Sequence, residues 1–287
     1  NEIGKSTYTQ MLNEIGGIET DLTVICIDKN HFRIISSAAV RTHDKNHILK
    51  HLSKKVDFKD ITHDLICLGL FGPKSRQLMS YICKEDFSNE NFKFGNGKFI
   101  KINSKCVWAQ RLSYVGELGY EIYIYPDDAK EIYNLIVESG KNFNLSHCGM
   151  HALDTMRMES GFLHWGHDTS PEENQYQANL SFAISYKKKV NFIGKQALEK
   201  IKNEKITKKF VMLSLKDSKP GYPLLLHEEP IYLDDEIIGR TTSGNYSFNY
   251  KKNLSFGYIN GNYSNEVLEK SNLFIEVAKE KHPVNLE

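Results

Sequence analysis

Alternating apolar and polar residues predict two short strands near the start of the chain, within residues 8–24. Gly16 and Gly17 separate the two strands, and glycine adopts the positive φ values that a tight reversal requires. The alternation continues past the turn and places Asp21 on the polar face of the second strand. Asp21 is therefore either a catalytic carboxylate held on a rigid strand or a residue that caps the turn or points into water.

Helical and strand patterns then alternate along the chain as far as residue 203. Helices are predicted at residues 43–52, 73–82, 126–136 and 149–160, and from residue 192 onward. Strands are predicted at residues 32–35 and 65–70, on both sides of a Gly-Asn-Gly turn at 95–97, and on both sides of a turn at 116–119.

A charged segment at residues 203–209 separates this mixed region from a region that contains only strand patterns. Short alternating segments are found there at residues 211–215, 230–233, 237–243 and 254–259. Frequent turns between short strands are typical of a barrel. We therefore predict an α+β domain at residues 1–203 and a small C-terminal all-β barrel domain at residues 207–287.

The strand after the turn at 116–119 carries a second candidate carboxylate, Glu121. The period of a strand puts Glu121, Tyr123 and Tyr125 on one face and apolar residues on the other. A carboxylate among aromatic rings suits a flat heterocyclic ligand. The alternative is a solvated glutamate beside tyrosines of the same sheet.

Composition points to a small-molecule partner. The 287 residues are 40% hydrophobic and 25% charged, with a formal net charge of +1, so no charged field attracts nucleic acid. No apolar run approaches the roughly 18 residues of a membrane span, and no signal peptide opens the chain. We expect no membrane partner and a cytoplasmic protein, or a mitochondrial matrix protein in a eukaryote.

Cysteine and histidine patterns give no support for a metal. The five cysteines are scattered and form no C-x-x-C, which indicates buried free thiols in a reducing compartment. One cluster of candidate metal ligands contains His147, Cys148, His151, His164 and His167. On helices, residues 147 and 151 could share a face, and so could residues 164 and 167. No second cysteine and no H-E-x-x-H pattern supports them, so we predict no metal site.

Four motifs resemble one known family. Residues 8–21 read Y-x3-L-N-x2-G-G-x3-D, and residues 113–121 read S-Y-V-G-E-L-G-Y-E. Residues 162–168 read F-L-H-W-G-H-D, and residues 192–198 read F-I-G-K-Q-A-L. In this order they resemble the folate-binding aminomethyltransferase family. It includes the T-protein of the glycine cleavage system and the C-terminal portion of dimethylglycine and sarcosine dehydrogenases.

The resemblance implies a cofactor, a reaction and a set of site residues. The cofactor is tetrahydrofolate, which accepts a one-carbon unit from an amine-derived iminium or aminomethyl group and becomes methylenetetrahydrofolate. Asp21 takes the position of the catalytic aspartate. The implied folate-binding residues are Tyr8, Tyr114, Glu121 and Trp165, and the two oxygens of Glu121 match the adjacent amino and ring N–H groups of a pterin.

Leu153 favours the oxidoreductase branch, because the glycine-cleavage T-protein has an arginine at this position. FAD is then expected on a preceding domain or a partner chain, since this sequence has no G-x-G-x-x-G. The first residue is Asn, so we expect part of the protein to be missing upstream. Two alternatives stay open, a stand-alone glycine cleavage aminomethyltransferase and a non-catalytic folate-binding module.

Overall fold

The computed structural model describes residues 2–287, which form two compact units. Unit 1 contains the residues up to Thr9 together with Leu22–Gly149, and unit 2 contains Gln10–Asp21 together with Met150–Glu287. These units are defined by contacts within the folded chain and do not test which segments are stable on their own. The predicted domain boundary at residues 203–207 therefore stays a prediction.

The first strands along the chain are β1 (Ser6–Leu12), β2 (Ile18–Asp28) and β3 (His31–Ile35), which form a sheet in that order. The remaining helices and strands of unit 1 are α1 (Arg41–His51), β4 (Ile66–Phe71), α2 (Ser75–Ile82), β5 (Gly97–Ile102), β6 (Lys105–Gln110), β7 (Gly119–Ile124) and α3 (Pro126–Gly140). Strands β4 to β7 form an antiparallel sheet in the order β4-β7-β6-β5.

Protein covers both faces of the four-stranded sheet. On one face Tyr120 and Ile122 of β7 are buried in an apolar core that includes residues of α2 and α3. On the other face Tyr123 and Trp108 are buried against Ile25 of β2. The predicted alternation along β7 is confirmed, because apolar side chains occupy one face and Tyr123 the other.

The predicted hairpin at residues 95–97 is wrong. β5 begins at Gly97 and pairs with β6, and the turn between these strands lies at Asn103 and Ser104, which both have positive φ. Gly97 is required for packing, because a Cβ there would lie 2.1 Å from Oε1 of Gln110. Gly97 is therefore a position where β5 and β6 approach closely, and the turn between the two strands is formed by Asn103 and Ser104.

Unit 2 contains α4 (Met150–Glu159), α5 (Lys195–Ile201), β8 (Lys208–Leu215), β9 (Pro230–Leu233), β10 (Glu236–Ser247), β11 (Lys252–Asn260), α6 (Asn265–Lys270), β12 (Leu273–Val277) and β13 (Glu280–Leu286). The strands close into a barrel in the order β10-β11-β8-β13-β12-β9. The predicted fold class, an α+β region followed by a small β-barrel, is confirmed. The sequence patterns missed β12, β13 and the short helix α6.

Two apolar clusters stabilise unit 2 around the barrel. The barrel interior buries Leu215, Ile231 and Ile275 completely. Met158 of α4 packs in a second cluster with aromatic residues of the barrel, among them Phe256. No helix within residues 2–287 has the length and apolar character needed to cross a bilayer.

Candidate functional site

Glu121 lies on β7 in unit 1, and its neighbours on the adjacent strands supply no cation. Gly69 is opposite on β4, and Gln110 is opposite on β6. Gly69 is exposed and has no side chain, and the ring of Phe71 occupies the space in front of it, because a Cβ there would lie 2.7 Å from two atoms of that ring. Gln110 is fully buried, and its amide donates to the carbonyls of Gly4 at 3.3 Å and Gly95 at 2.8 Å.

The carboxylate of Glu121 accepts a hydrogen bond from the hydroxyl of Tyr123, with 2.6 Å between the oxygens. Burial raises the pKa of the Glu121 carboxyl, and the Tyr123 hydrogen bond opposes this rise. Burial and the nearby Glu121 charge raise the pKa of the Tyr123 hydroxyl. Tyr123 is therefore a neutral donor, a role that sequence reasoning missed although it placed both residues on one face.

Arg33 of β3 covers the aromatic rings beside this pair. The central carbon of its guanidinium lies 5.2 Å from the Tyr123 ring centroid and 6.0 Å from the Trp108 ring centroid. Within residues 2–287, its buried Nε and Nη1 atoms have no hydrogen-bond partner. Burial lowers the pKa of Arg33. The cation is stabilised by the faces of the two rings.

Cys67 of β4 lies opposite Tyr123, and its thiol is not activated as a nucleophile. The prediction that all five thiols are buried is wrong, because Cys67, Cys106 and Cys148 are exposed residues. At Cys67, burial around the thiol and the Glu121 charge nevertheless raise its pKa to about 12. A thiol with such a pKa stays protonated at neutral pH. The chemistry of this region therefore rests on Glu121 and its aromatic surroundings.

Tyr8 and Tyr114 are also in unit 1. Tyr8 lies on β1 and is partly exposed. Tyr114 was expected on a strand, but β6 ends at Gln110 and residues 111–118 form a loop. In this loop the hydroxyl of Ser113 donates to the carbonyl of Glu117 at 2.7 Å, which stabilises the turn. A folate pocket between Tyr8, Tyr114 and Glu121 stays a prediction.

Asp21 and Trp165 are in unit 2, where Trp165 contacts the strand that carries Asp21. The indole Nε1 of Trp165 donates to the carbonyl of Ile18 at 2.9 Å, and the Ile18 N–H donates to the carbonyl of Glu173 at 2.9 Å. Ile18 is fully buried and Asp21 is partly exposed, as the predicted alternation requires. Two hydrogen bonds therefore fix the start of β2, three residues before Asp21.

A buried ion pair in unit 2 was not predicted from the sequence. Arg157 and Asp168 are 2% and 1% exposed, and Arg157 Nη1 lies 2.6 Å from Asp168 Oδ2. The same oxygen accepts from the His164 N–H at 2.9 Å. The other carboxylate oxygen accepts from the hydroxyls of Thr242 at 2.6 Å and Ser243 at 2.7 Å. These contacts join α4, the loop after it and β10.

The histidines considered as ligands are distributed over both units. In unit 1 His147 forms a hydrogen bond with the Tyr133 hydroxyl at 2.7 Å. In unit 2 the rings of His164 and His167 are 4.7 Å apart, and burial and His167 lower the pKa of His164. Residues 2–287 contain no group of three His, Cys, Asp or Glu side chains that could hold a metal ion.

Two family models match the chain, and together they cover most of it. The model described as "GCVT N-terminal domain" matches residues 1–188. The model described as "Glycine cleavage T-protein C-terminal barrel domain" matches residues 208–286, the region that contains the closed barrel.

Two curated proteins and one solved structure are similar to this chain. The formaldehyde-forming 4-methylaminobutanoate oxidase of Paenarthrobacter nicotinovorans is 36% identical over 247 residues, which are 85% of this chain and 30% of the oxidase. Human mitochondrial dimethylglycine dehydrogenase is 32% identical over 263 residues, 90% of this chain and 30% of the dehydrogenase. The chain therefore spans about 30% of the length of these relatives.

The solved structure is glycine cleavage system aminomethyltransferase T from Bartonella henselae. It superposes with a TM-score of 0.85 and 22% identity, over 100% of this chain and 75% of that one. At this identity the similarity shows the fold.

Proposed function

Because the chain belongs to the glycine cleavage T-protein family, we propose that it binds tetrahydrofolate and transfers a one-carbon unit to it, giving methylenetetrahydrofolate. The observation that carries the proposal is the environment of Glu121. Its carboxylate is half-buried beside aromatic rings and, among the described residues, accepts a hydrogen bond from Tyr123 alone. Acceptor positions are left for a ligand with adjacent N–H groups, and a pterin presents an amino group beside a ring N–H.

The other site residues follow from the family motifs. Asp21 acts as a base, or stabilises the positive charge that develops at the reacting folate nitrogen. Tyr8, Tyr114 and Trp165 line the folate. The hydrogen bond from Trp165 to Ile18 supports this assignment for Trp165, because it ties the indole to the strand of Asp21.

We further propose that the chain is the C-terminal part of an oxidoreductase similar to dimethylglycine and sarcosine dehydrogenases, with FAD on a preceding domain or a partner chain. Two observations support this context, the similarity of the chain to an oxidase and a dehydrogenase at 36% and 32% identity, and Leu153. Oxidation of a methylated amine would then supply the iminium group. A stand-alone glycine cleavage aminomethyltransferase is the alternative, and an assay with a lipoyl carrier protein separates the two.

The name of one relative favours a second candidate function. The oxidase from Paenarthrobacter nicotinovorans is called formaldehyde-forming, and formaldehyde is the product when an iminium group hydrolyses without transfer to folate. In that case the chain keeps the fold without the transfer reaction. The identity of the one-carbon product distinguishes this candidate from the first.

Calorimetry with tetrahydrofolate and the Asp21→Asn variant test the proposal. The wild-type protein should bind the cofactor stoichiometrically, and the absence of binding heat would refute folate as the ligand. Asp21→Asn should bind within a few-fold of wild type but lose methylenetetrahydrofolate formation by at least about a hundredfold, because positioned acid–base groups contribute about 10²–10⁴-fold to rates. With an amine-oxidising partner present, formaldehyde should accumulate instead.

Asp28→Asn is the matched control. Asp28 lies at the exposed end of the same strand and accepts a hydrogen bond from the Lys29 N–H at 2.7 Å. It should leave both binding and product formation at wild-type levels. Unchanged product formation by Asp21→Asn would show that Asp21 caps the turn.

A further inference from the structure

The environment of Glu121 assigns a distinct role to Tyr123. In the part of the chain that the structure describes, the Tyr123 hydroxyl is the only group that donates a hydrogen bond to this carboxylate. Gly69 has no side chain, and the Gln110 amide donates to two backbone carbonyls. Among these groups, Tyr123 alone restricts the orientation of the Glu121 side chain.

Tyr123 is itself held rigidly. Its residue is 5% exposed, and its ring packs in one cluster with Trp108, Ile25 and Ile27. The Arg33 guanidinium lies against the rings of both Tyr123 and Trp108. A tyrosine packed in this way keeps one side-chain conformation, so its hydroxyl is a fixed donor.

We propose that Tyr123 is a positioning residue. Its hydroxyl holds one oxygen of the Glu121 carboxylate, leaving the other oxygen for a ligand with adjacent N–H groups, and Arg33 keeps the Tyr123 ring in place. This inference rests on the proposed function, because it assigns the ligand of Glu121 to tetrahydrofolate. Tyr123 does not touch the reacting atoms in this arrangement and acts through Glu121.

The same contact affects the pH at which Glu121 ionises. The titratable groups nearest the Tyr123–Glu121 pair are Arg33 on β3 and Cys67 on β4. Cys67 is protonated at neutral pH, and Arg33 lies against the rings. Burial favours the protonated acid at Glu121, whereas the hydroxyl donor favours the carboxylate. Removing the hydroxyl should therefore raise the pH at which Glu121 ionises.

Carboxyl ¹³C NMR on the ligand-free protein measures this ionisation directly. The Glu121 signal is identified by its loss in Glu121→Gln and then followed against pH in wild type and in Tyr123→Phe. Tyr123→Phe keeps the ring and its packing and removes only the hydroxyl. The titration midpoint should rise by about 1–2 pH units, which corresponds to the usual strength of a hydrogen bond to a charged group.

Two further variants control the experiment. Tyr125→Phe, at an exposed position just beyond β7, should leave the midpoint unchanged. Arg33→Met leaves the hydroxyl in place and should shift the midpoint in the same direction by less than Tyr123→Phe. Tetrahydrofolate calorimetry at pH 7 should show about tenfold weaker binding for Tyr123→Phe and wild-type binding for Tyr125→Phe.

The outcomes separate this inference from the proposed function. Equal midpoints in wild type, Tyr123→Phe and Arg33→Met would overturn the inference, as would unchanged tetrahydrofolate affinity in a Tyr123→Phe protein with a shifted midpoint. A shifted midpoint in a protein that binds no tetrahydrofolate at any pH would refute the proposed ligand and uphold the positioning of Glu121 by Tyr123.

Discussion

Glu121 in unit 1 is half-buried and Asp168 in unit 2 is buried, and their hydrogen-bond partners also differ. Asp168 accepts hydrogen bonds from a guanidinium, two hydroxyls and a backbone N–H, which are the four donors that a carboxylate can use. Within residues 2–287, Glu121 accepts one hydrogen bond, from a neutral tyrosine. The first carboxylate is fully satisfied within the folded chain, and the second is not.

This difference distinguishes a structural acid from a candidate binding acid. A buried charge with a complete set of donors has nothing left for a ligand, and it joins the elements that supply the donors. A half-buried carboxylate with open acceptor positions destabilises the fold slightly, and a ligand can offset that cost by supplying the missing donors. Burial alone would have ranked Asp168 first, whereas the inventory of its partners points to Glu121.

The largest effect, a loss of stability, is expected at the buried ion pair of Arg157 and Asp168. Arg157→Met leaves the Asp168 charge buried without its cation, so the free energy of unfolding should fall by about 3–5 kcal/mol. Urea denaturation measures this. The control is Lys270→Met, which removes an exposed ion pair with Glu266 and should change stability by at most about 0.5 kcal/mol. A loss below about 1 kcal/mol for Arg157→Met would show that the hydroxyl and N–H donors suffice for Asp168.

Glu121→Gln should have the opposite profile. Tetrahydrofolate binding should weaken by about 1.5–3 kcal/mol, because the amide keeps the shape but presents a donor to the donors of the pterin. Stability should change by less than about 1 kcal/mol, since the described part of the chain offers Glu121 no ion-pair partner to lose. Calorimetry and urea denaturation on the same preparation give both numbers. Unfolding of the variant, or unchanged binding, would place Glu121 with the structural acids.

The smallest expected effect is on pH dependence: as Glu121 ionises, the stability of the protein should fall and its affinity for folate should rise. The folded-state pKa of Glu121 lies above its ordinary value of 4.5, so the unfolded chain releases this proton at lower pH than the folded protein. The contribution of Glu121 to the free energy of unfolding is fully present below the pKa of the unfolded chain, and it is lost as pH rises through the pKa of the folded protein. Folate affinity should increase across the same window, because the ligand requires the carboxylate.

Glu121→Gln is the reference for this titration. Subtracting its stability and affinity curves from those of wild type isolates the contribution of one carboxyl among the many that titrate. Parallel trends in the two difference curves, or flat ones, would contradict the assignment of the raised pKa to Glu121.

Sequence patterns predicted those helices and strands that depend mainly on residues close together in the chain. Alternation identified β7 and its two faces, and the apolar spacing and helix-opening proline identified α3. The hairpin at residues 95–97 failed because Gly97 meets the side chain of Gln110, thirteen positions further along the chain. Strands β12 and β13 show too weak an alternation to be recognised without their partners in the barrel.

Family motifs supplied the candidate site, but they did not reveal how its residues are held. Asp168 collects donors from α4 and from β10, between 11 and 75 positions away along the chain, and no local pattern connects them. Arg33 reaches the rings of Tyr123 and Trp108 from a strand in a different sheet. Such contacts depend on tertiary packing, so periodicity and spacing cannot predict them.

The positions of the two tryptophans have a practical spectroscopic consequence. Trp108 is buried in unit 1 with its indole N–H bonded to Gln110, and Trp165 is partly buried in unit 2 with its N–H bonded to the Ile18 carbonyl. Each unit therefore contains one tryptophan. Replacing either tryptophan by phenylalanine yields a protein whose tryptophan emission, excited selectively over that of tyrosine, reports on one unit alone, so cooperative and separate melting can be told apart without an added dye.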